Sequence, residues 1–371
     1  MASRLFSPMT LRGHTMPNRI VVSPMCQYQA QDGVPSDWHM VHLGQYALGG
    51  AGLIIAEATG VVPEGRISPG CPGLWSDAQE AAWARIVDFV HAQSTSKIGI
   101  QLAHAGRKAS TTPPWQGSGP APDATGWETV GPSALPYLDT WPTPRAMTEG
   151  DIADLIAAYA SSAKRAVRAG FDLIEVHAAH GYLLHQFMSP LSNRRTDGYG
   201  GSLEGRMRLT LEVFTAVRAA VPDDLPVILR LSATDWVEGG WTVDEAIALS
   251  AALKKLGCDM IDVSSGGLDH RQKIITGPGY QAAFAGRIRA EAAIPTMAVG
   301  QITEAAQAET ILATEMADMI ALARIMLWDP RWAWHAALAL GDDLSPPSPY
   351  ARSNPALRGT FMTLNASVQS A

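Results

Sequence analysis

The chain has 371 residues, of which 47% are hydrophobic and only 17% charged, a composition that supports a large core and argues against long disordered segments. The net charge of −7 and the lack of a strongly basic stretch argue against nucleic acid and anionic membranes as partners. The start of the chain is polar and interrupted by prolines, and no apolar run approaches the length of a membrane span, so we expect a cytoplasmic protein.

Short apolar runs alternate with longer segments of helical periodicity along the whole chain. The predicted strands cover residues 19–25, 52–58, 97–106, 171–179, 225–233, 258–267, 295–300 and 317–324. The predicted helices cover residues 37–50, 76–94, 148–170, 204–221, 242–257, 281–292, 303–315 and 329–341. Continuous apolar strands are typical of parallel strands covered by helices, and eight such units predict an α/β fold of the (β/α)8 TIM-barrel type. A doubly wound sheet is the alternative, but it usually has fewer strands.

Two stretches depart from this alternation. Residues 109–146 are rich in Pro, Gly, Ser and Trp and follow the third strand, where a long loop most often forms a lid or a pocket wall. Residues 345–371 begin with a proline-rich segment that we expect to be non-helical. We therefore predict a single barrel over residues 1–344, with an extended loop after strand 3 and a short C-terminal tail.

Polar residues and glycines crowd the carboxyl ends of the predicted strands, where the active sites of (β/α)8 barrels lie. In chain order these ends carry Ser23, Pro24, Met25, Cys26, Gln27, Tyr28, Glu57, Ala58, Gln101, His104, His177, His180, Tyr182, Arg230, Ser264, Ser265, Gly266, Gly267, Gly300, Gln301, Ala323 and Arg324. This pattern is stronger than any single residue in it, and it predicts a ligand site at one rim of the barrel.

The last two strands suggest a phosphate site. In this fold a phosphate commonly binds to the loops after strands seven and eight. Gly300 allows a close approach of the backbone, and the Arg324 guanidinium can bind a phosphate. Each of these residues alone could be purely structural, but together with Arg230 at another strand end they favour a bound phosphorylated cofactor.

His177 ends one predicted strand and His180 lies in the turn beyond it, and this pair leaves three interpretations open. A metal site is one, with Glu175 on the same face of the strand, although no complete ligand set is visible and we predict no metal. A pair of buried structural histidines is the second interpretation. In the third, both histidines donate hydrogen bonds to an oxygen atom of a bound ligand.

The cysteines give little support to disulfide or metal chemistry. Cys26, Cys71 and Cys258 lie far apart, which disfavours both a disulfide framework and a CxxC metal site. Cys26 follows a strand and could be a nucleophile, but no orienting base precedes it in the sequence.

Several motifs resemble those of the Old Yellow Enzyme family of flavin-dependent ene-reductases. They are SPMCQY (23–28), IQLAHAGRK (100–108), EVHAAHGYLLHQFMSPLSNRRTDGYGGSLEGR (175–206), LRLSATDW (229–236) and VSSGG (263–267). The cysteine in SPMCQY is typical of the bacterial thermophilic-like subgroup, which includes xenobiotic reductases. The resemblance extends over nearly the whole chain.

The resemblance implies a non-covalent FMN in a (β/α)8 barrel, reduced by NADPH or NADH. Arg230 would face the N1/O2 edge of the isoalloxazine, and Cys26 would modulate its potential rather than act as a nucleophile. Ala323 stands where the family usually has glycine, but its N–H can still bind phosphate if φ is negative. The implied FMN contacts are Ser23, Pro24, Met25, Cys26, Ala58, Gln101, Arg230, Gly300, Ala323 and Arg324.

The resemblance also implies the chemistry. His177 and His180 would hold the carbonyl or nitro oxygen of an activated alkene, hydride would pass from flavin N5 to the β-carbon, and Tyr182 would deliver the proton. Tyr28 would be a further substrate contact. Related dimers imply that Arg352 reaches a neighbouring subunit's site, and we expect a homodimer or homotetramer.

Two other classes of barrel protein remain as alternatives. Dienoyl-reductase relatives carry an iron–sulfur cluster in a C-terminal extension, and this chain lacks the required cysteine cluster. A non-redox enzyme or binding protein for a phosphorylated ligand is the second alternative. A Schiff-base lysine at a strand end would favour it, but Lys108 lies beyond its strand and is a poor candidate.

Overall fold

A computed structural model of the protein describes residues 3–344 and 346–353. The strands in these residues are β1 (Met9–Leu11), β2 (His14–Met16), β3 (Ile20–Val22), β4 (Leu53–Gly60), β5 (Lys97–Ala103), β6 (Val130–Gly131), β7 (Arg145–Ala146), β8 (Leu173–Ala178), β9 (Val227–Ser232), β10 (Ile261–Ser264), β11 (Thr296–Ala298) and β12 (Met319–Leu322). The helices are α1 (Asp37–Leu48), α2 (Asp77–Gln93), α3 (Glu149–Arg168), α4 (Leu183–Met188), α5 (Leu203–Ala219), α6 (Val243–Lys255), α7 (Ala282–Ala292), α8 (Ala305–Ala313), α9 (Arg324–Trp328) and α10 (Trp332–Leu340).

Eight parallel strands close into a barrel in the order β3-β4-β5-β8-β9-β10-β11-β12, which confirms the predicted (β/α)8 fold. The strands are buried along almost their whole length because helices cover their outer faces, which explains their continuous apolar sequences. None of the helices in the described residues is long and apolar enough to cross a membrane.

The lower end of the barrel, where the strands begin, is filled by apolar side chains. The β1–β2 hairpin places Leu11 and Met16 against this interior cluster and closes the lower end. The sequence did not predict the hairpin because its strands are only three residues long and half exposed. The interior cluster consists of Val21, Leu53, Ile55, Leu173, Ile228, Met260, Met297, Val299, Met319 and Ala321.

Capping boxes fix the starts of several barrel helices. At α3, Asp151 N donates to Thr148 Oγ1 at 3.1 Å, while Asp151 Oδ2 accepts from Thr148 N at 2.7 Å. Such an N-cap contributes about 1 kcal/mol to stability. The same arrangement begins α2 at Ser76 and α6 at Thr242, so these helix starts are defined locally by the sequence.

The long loop after β5 lies over the upper end of the barrel. It contains a 3-10 turn at Pro114–Gln116 and the two short strands β6 and β7. Arg107 anchors it by donating to Leu135 O and Pro136 O at 3.3 Å and to Leu268 O at 3.0 Å. The loop is thus attached to the segment that follows β10, and it forms a wall above the site.

The tail differs from the expected non-helical segment, because residues Ser348–Ser353 form a short 3-10 helix. Pro349 lies in its first turn, where the fixed φ of proline favours helical backbone. The Tyr350 ring packs against Trp334 of α10 with ring centroids 6.1 Å apart. The predicted tail also includes residues 354–371, which lie outside the described residues.

Two helices of the structure, α9 and α4, were not predicted from the sequence. The segment predicted as one helix over 329–341 is α10 alone, and α9 precedes it from Arg324. The two are separated at Asp329, whose backbone is non-helical and whose side chain accepts from Arg331 N at 3.0 Å. The six-residue helix α4 was not predicted, because it is buried throughout and shows no amphipathic pattern.

Candidate active site

The upper half of the barrel interior carries a layer of buried polar side chains, Gln101 on β5, Glu175 on β8, Arg230 on β9 and Asp262 on β10. Gln101 lies opposite Glu175 in the strand register, and its Nε2 donates to Glu175 Oε1 at 2.6 Å. Arg230 lies opposite Asp262, with Nε 3.0 Å from Asp262 Oδ2. The strands therefore deliver one cation and two carboxyl groups to the floor of the site.

The segment after β8 turns sharply and brings His180 back toward the barrel. His180 has a φ of +58° and Gly181 a φ of +72°. A Cβ atom at Gly181 would lie 2.2 Å from Gly267 O, so only glycine fits where these two segments cross. His180 Nε2 then lies 2.7 Å from Ser264 Oγ at the end of β10.

His177 and His180 face each other as neutral rings. Burial, with the charge of Arg230 adding to it, lowers the pKa of both rings well below the usual histidine value. Ala179 N donates to His177 Nδ1 at 3.2 Å, so the neutral ring carries its proton on Nε2 and can donate from there. The ring centroids lie 5.2 Å apart. The pair can therefore supply hydrogen-bond donors without being protonated to cations.

Tyr182 stands beside this pair at the start of α4. Its ring lies 5.1 Å from the His177 ring and 5.2 Å from Lys108 Nζ, both measured to the ring centroid of Tyr182. Burial raises the pKa of Tyr182 well above its usual value. The phenol therefore keeps its proton at neutral pH and can give it only to a strongly basic atom that forms during a reaction.

A buried contact between His185 and Asp235 supports the turn. Gly181 N donates to His185 Nδ1 at 2.9 Å, and His185 Nε2 lies 2.8 Å from Asp235 Oδ1. Asp235 Oδ2 also accepts from Ser189 Oγ at 2.6 Å. Neither His185 nor Asp235 has any exposed surface, so these contacts hold the backbone at Gly181 and thereby the position of the next residue, Tyr182.

The segment after β3 gathers Cys26 and Tyr28 with Glu57 and Cys71. The ligand atoms of Cys26, Glu57 and Cys71 lie within 4.8 Å of one another, a spacing that could also hold a metal ion. A hydrogen bond with Cys71 and burial raise the pKa of the Cys26 thiol well above its usual value. A protonated thiol is a poor nucleophile, which agrees with the non-nucleophilic role that the resemblance implied.

Tyr28 forms part of the wall between this segment and the loop above it. Its backbone has a φ of +58°, and its ring meets Trp115 of the loop edge-on at 5.5 Å. Cys26, Tyr28 and Tyr182 all pack on one small cluster that includes Ala58. Predicted residues from β3, β4 and β8 thus meet above the polar layer.

A cavity of about 530 Å³ opens beside β11 and β12, between the predicted phosphate residues. Gly300 has a φ of +127°, and a Cβ atom there would lie 2.9 Å from Gln281 Nε2. Ala323 has a φ of −111°, the negative value at which its N–H can serve in place of glycine. The cavity lining includes Ser264, Tyr280, Gln281, Gly300, Gln301, Thr303, Ala323 and Arg324.

Comparisons with known proteins agree with this geometry. A sequence profile of the NADH:flavin oxidoreductase / NADH oxidase family matches residues 4–342. The chain belongs to this family. An NADPH dehydrogenase from Geobacillus thermodenitrificans (strain NG80-2) is 45% identical over 354 residues, covering 95% of this chain and 99% of the relative.

Solved structures that are similar to this chain show the same fold. Morphinone reductase has a TM-score of 0.77 at 32% identity, covering 94% of this chain and 92% of its own. A 2-naphthoyl-CoA reductase complex has a TM-score of 0.82 at 25% identity over 93% of this chain, which spans 53% of that larger protein. The predicted Old Yellow Enzyme family, the oxidoreductase class and the cofactors FMN and NAD(P)H are thereby confirmed.

The site contains hydrogen-bond donors without a protein partner that fit the polar groups of FMN. In the described part of the chain, the Arg230 guanidinium makes no hydrogen bond to protein, and its Nε and the Ser23 hydroxyl are buried without a hydrogen-bond partner. A polar planar ligand above the floor would pair with such groups, and an anionic group would pair with Arg324 in the cavity beside them. The unpartnered donors of this chain therefore match the polar and anionic groups of FMN.

The sequence did not point to Asp262 at all, and it suggested Glu175 only as a metal ligand and Lys108 only as a poor Schiff-base candidate. Lys108 Nζ donates to His180 O at 2.8 Å and Gly267 O at 2.7 Å, and burial beside Arg107 lowers the pKa of Lys108 to about 7. The signal for Lys108 was its place in the short segment that follows β5. The signal for the two acids was a carboxylate inside an otherwise apolar strand.

Arg352 does not join the other predicted residues. It lies in the 3-10 helix of the tail, which packs near α10 and residues 342–344. A neighbouring cavity joins Pro347 to Asn18, Ala51 and Ser96, which precede β3, β4 and β5. The described tail is therefore at the lower end of the barrel, opposite the site of its own chain.

Proposed function

We propose that this oxidoreductase reduces the activated C=C bond of α,β-unsaturated carbonyl or nitro compounds. The single observation that supports it best is the group formed by His177, His180 and Tyr182. It combines two neutral hydrogen-bond donors with a phenol that keeps its proton, next to a floor that fits a flavin. Bound FMN supplies the redox chemistry by carrying hydride from NADPH or NADH to the β-carbon of the alkene.

His177 and His180 are proposed to bind the carbonyl or nitro oxygen of the substrate. His177 can donate from Nε2, because its Nδ1 accepts from Ala179 N. His180 already uses Nε2 with Ser264, which leaves Nδ1 for the ligand. Negative charge grows on the substrate oxygen in the transition state, so these donors stabilise the transition state more than the bound substrate.

Tyr182 is proposed to donate the proton to the α-carbon. The carbanion-like carbon is a far stronger base than water, so a phenol with a raised pKa can still protonate it. Lys108 lies over the ring of Tyr182 and can stabilise the phenolate that remains. Tyr28 and the loop residue Trp115 are proposed to close the other side of the substrate pocket.

The remaining predicted residues are proposed to hold the cofactor. Ser23, Pro24, Met25, Cys26, Ala58 and Gln101 would contact the isoalloxazine, with Arg230 at its N1/O2 edge. Gly300, Ala323 and Arg324 would bind the phosphate at the cavity beside β12. Support comes from Gln101 and Ala58, which lie opposite each other in register on β5 and β4, above the apolar interior.

The visible spectrum of the purified protein tests the overall proposal. We expect a flavin band that bleaches on anaerobic addition of NADPH and returns on addition of 2-cyclohexenone. A band that bleaches but does not return with any activated alkene would disprove the alkene-reductase proposal. A protein that binds no flavin after incubation with FMN would contradict the proposed cofactor contacts.

Two variants divide the reaction into its halves. His177→Ala should slow alkene reduction by about 10²–10³-fold, as expected for a lost oxyanion donor, while flavin reduction by NADPH suffers less. Tyr182→Phe should slow the proton-dependent step by about 10²–10⁴-fold. Tyr159→Phe is the matched control, because Tyr159 is buried in α3 away from the site. Equal alkene turnover in Tyr182→Phe and Tyr159→Phe would remove Tyr182 from its role.

We also propose a homodimer or homotetramer in which Arg352 reaches a neighbouring site. Support comes from the tail, which packs at the lower end of its own barrel and so could meet only another subunit's site. Light scattering should give the mass of an oligomer, and Arg352→Ala should raise KM for the alkene. A monomer with an unchanged KM in the variant would disprove the proposal.

A further inference from the structure

The floor of the proposed flavin site contains more negative than positive groups. Glu175 and Asp262 have no exposed surface, and Arg230 is only 6% exposed. The charged groups that face Glu175 are Asp262 on β10 and Arg230 on β9, while its neighbour on β5 is the uncharged Gln101. Below them lies the apolar interior cluster. Two ionised carboxylates with one guanidinium would leave a net charge of −1 in a buried site, which is costly.

Three carboxyl oxygens of this group lack donors. Among the described residues, Glu175 Oε2 and both oxygens of Asp262 are buried without a hydrogen-bond partner. The ion pair from Arg230 Nε to Asp262 Oδ2 is short at 3.0 Å but lies outside hydrogen-bond geometry. A proton held between the two acids would provide a donor for one of these oxygens and remove the excess charge.

We propose that Glu175 and Asp262 share one proton and that Arg230 couples this proton to the redox state of the flavin, so that the pair acts as a proton acceptor during flavin reduction. The two acids touch neither substrate nor flavin in this proposal, and they are positioning residues that act through Arg230. The inference rests on the proposed cofactor contacts of Arg230. It goes beyond them in assigning a proton site to the barrel floor.

Reduction of the flavin would change the charge that Arg230 faces. Two electrons and one proton taken up by the isoalloxazine add one negative charge at the edge that Arg230 would face. Arg230 is then shared between this charge and Asp262, so the two acids hold a proton more tightly than before. Burial and the neighbouring Asp262 already raise the pKa of Glu175 to about 8. At a pH where both acids are ionised before reduction, the protein takes up one further proton from water. That proton goes to the Glu175–Asp262 pair, while the flavin takes up two electrons and one proton.

The midpoint potential of the holoenzyme, measured by anaerobic spectroelectrochemistry from about pH 6 to about pH 10, tests the coupling over the range of raised carboxyl pKa values. One proton per two electrons gives a slope of about 30 mV per pH unit, and two protons give about 60 mV. We expect the wild-type protein to show the steeper slope over an interval above about pH 8. Glu175→Gln should show the shallower slope throughout.

Two further variants sharpen the test. Asp262→Asn should move the steep interval to lower pH, because Glu175 loses the like charge that raises its pKa. Asp172→Asn is the matched control and should keep the wild-type slopes. Asp172 is a buried carboxylate just before β8, at the lower end, where it is paired with Lys97 and His91. A steep interval that persists in Glu175→Gln, or a single shallow slope in the wild-type protein, would overturn the inference.

A measurement without flavin separates this inference from the proposed function. The pH-difference infrared spectrum of the apoprotein should contain a protonated-carboxyl band that titrates well above ordinary carboxyl pKa values. The band should be absent from Glu175→Gln and present in Asp172→Asn. A missing band in the wild-type apoprotein defeats the shared proton. A band that is present in a protein unable to bind FMN would instead defeat the proposed cofactor contacts.

Discussion

The lower and upper halves of the barrel interior are built from the same strands but have opposite character. On β8, Leu173 faces the apolar cluster at the lower end and Glu175 lies in the polar layer two residues later. On β9, Ile228 and Arg230 repeat the same change. Side chains two residues apart share one face of a strand, so a step of two residues moves from the packed interior to the floor of the site.

The difference between the halves shows how the fold separates stability from chemistry. The lower half is closed by the β1–β2 hairpin and gains its stability from burial of apolar surface. The upper half retains buried groups without partners, which is unfavourable for the folded chain but leaves donors and charges ready for a ligand. We expect variants in the lower half to reduce stability without changing the chemistry. Variants in the upper half should change the chemistry with little loss of stability, unless they leave a buried charge unpaired.

The largest loss of stability is expected where an upper-half variant leaves charge unpaired. Arg230→Ala removes the cation that faces Asp262 and Glu175, which costs about 3–5 kcal/mol when a buried pair is broken. Urea unfolding of the apoprotein measures it, and the loss should grow with pH as the acids ionise. Arg287→Ala, which breaks exposed pairs with Asp244 and Glu291, should cost much less. Equal losses in both variants would contradict the charge balance proposed for the floor.

A slightly smaller loss is expected from the lower half. Leu53→Ala removes a fully buried side chain from the apolar cluster and should cost about 2–5 kcal/mol. The affinity for FMN and the midpoint potential should stay at wild-type values, because Leu53 lies at the opposite end of the barrel from the site. Leu338→Ala, at an exposed position of α10, should change stability by no more than about 0.5 kcal/mol. A changed flavin potential in Leu53→Ala would show that the two halves are not independent.

A third variant tests the upper half through pH. The pKa of Glu175 is raised from 4.5 to about 8 on folding, so the folded chain binds more protons than the unfolded chain between these values. Stability from this group therefore falls as pH rises from about 4.5 to about 8, and the full penalty remains above that range. Apoprotein unfolding should show Glu175→Gln equal to wild type at low pH and relatively more stable at high pH. A constant difference across pH would mean that Glu175 is ionised in the folded chain.

Residues at the strand ends could be predicted from the sequence, whereas contacts across the barrel interior could not. The eight apolar strands and the residues at their ends could be predicted, because parallel strands place all their carboxyl ends at one rim. The pairing of Glu175 with Asp262 could not, since β9 lies between their strands and the contact crosses the barrel interior. Lys108 was missed because its direction depends on the turn at Gly106, whose φ is +59°.

Apart from the control variants, the smallest loss of stability is expected at Ser264, which holds His180 from the end of β10. Ser264→Ala removes a hydrogen bond of 2.7 Å, a loss of about 1 kcal/mol in unfolding free energy. Ser250→Ala is the matched control, because this buried serine of α6 also loses one hydrogen bond, to Ala246 O. Alkene turnover should fall in Ser264→Ala alone, because His180 would rotate away from the ligand oxygen, while flavin reduction by NADPH should remain close to wild type. If both variants lose the same stability and neither loses alkene turnover, His180 needs no orientation from β10 and its proposed role rests on the turn at Gly181.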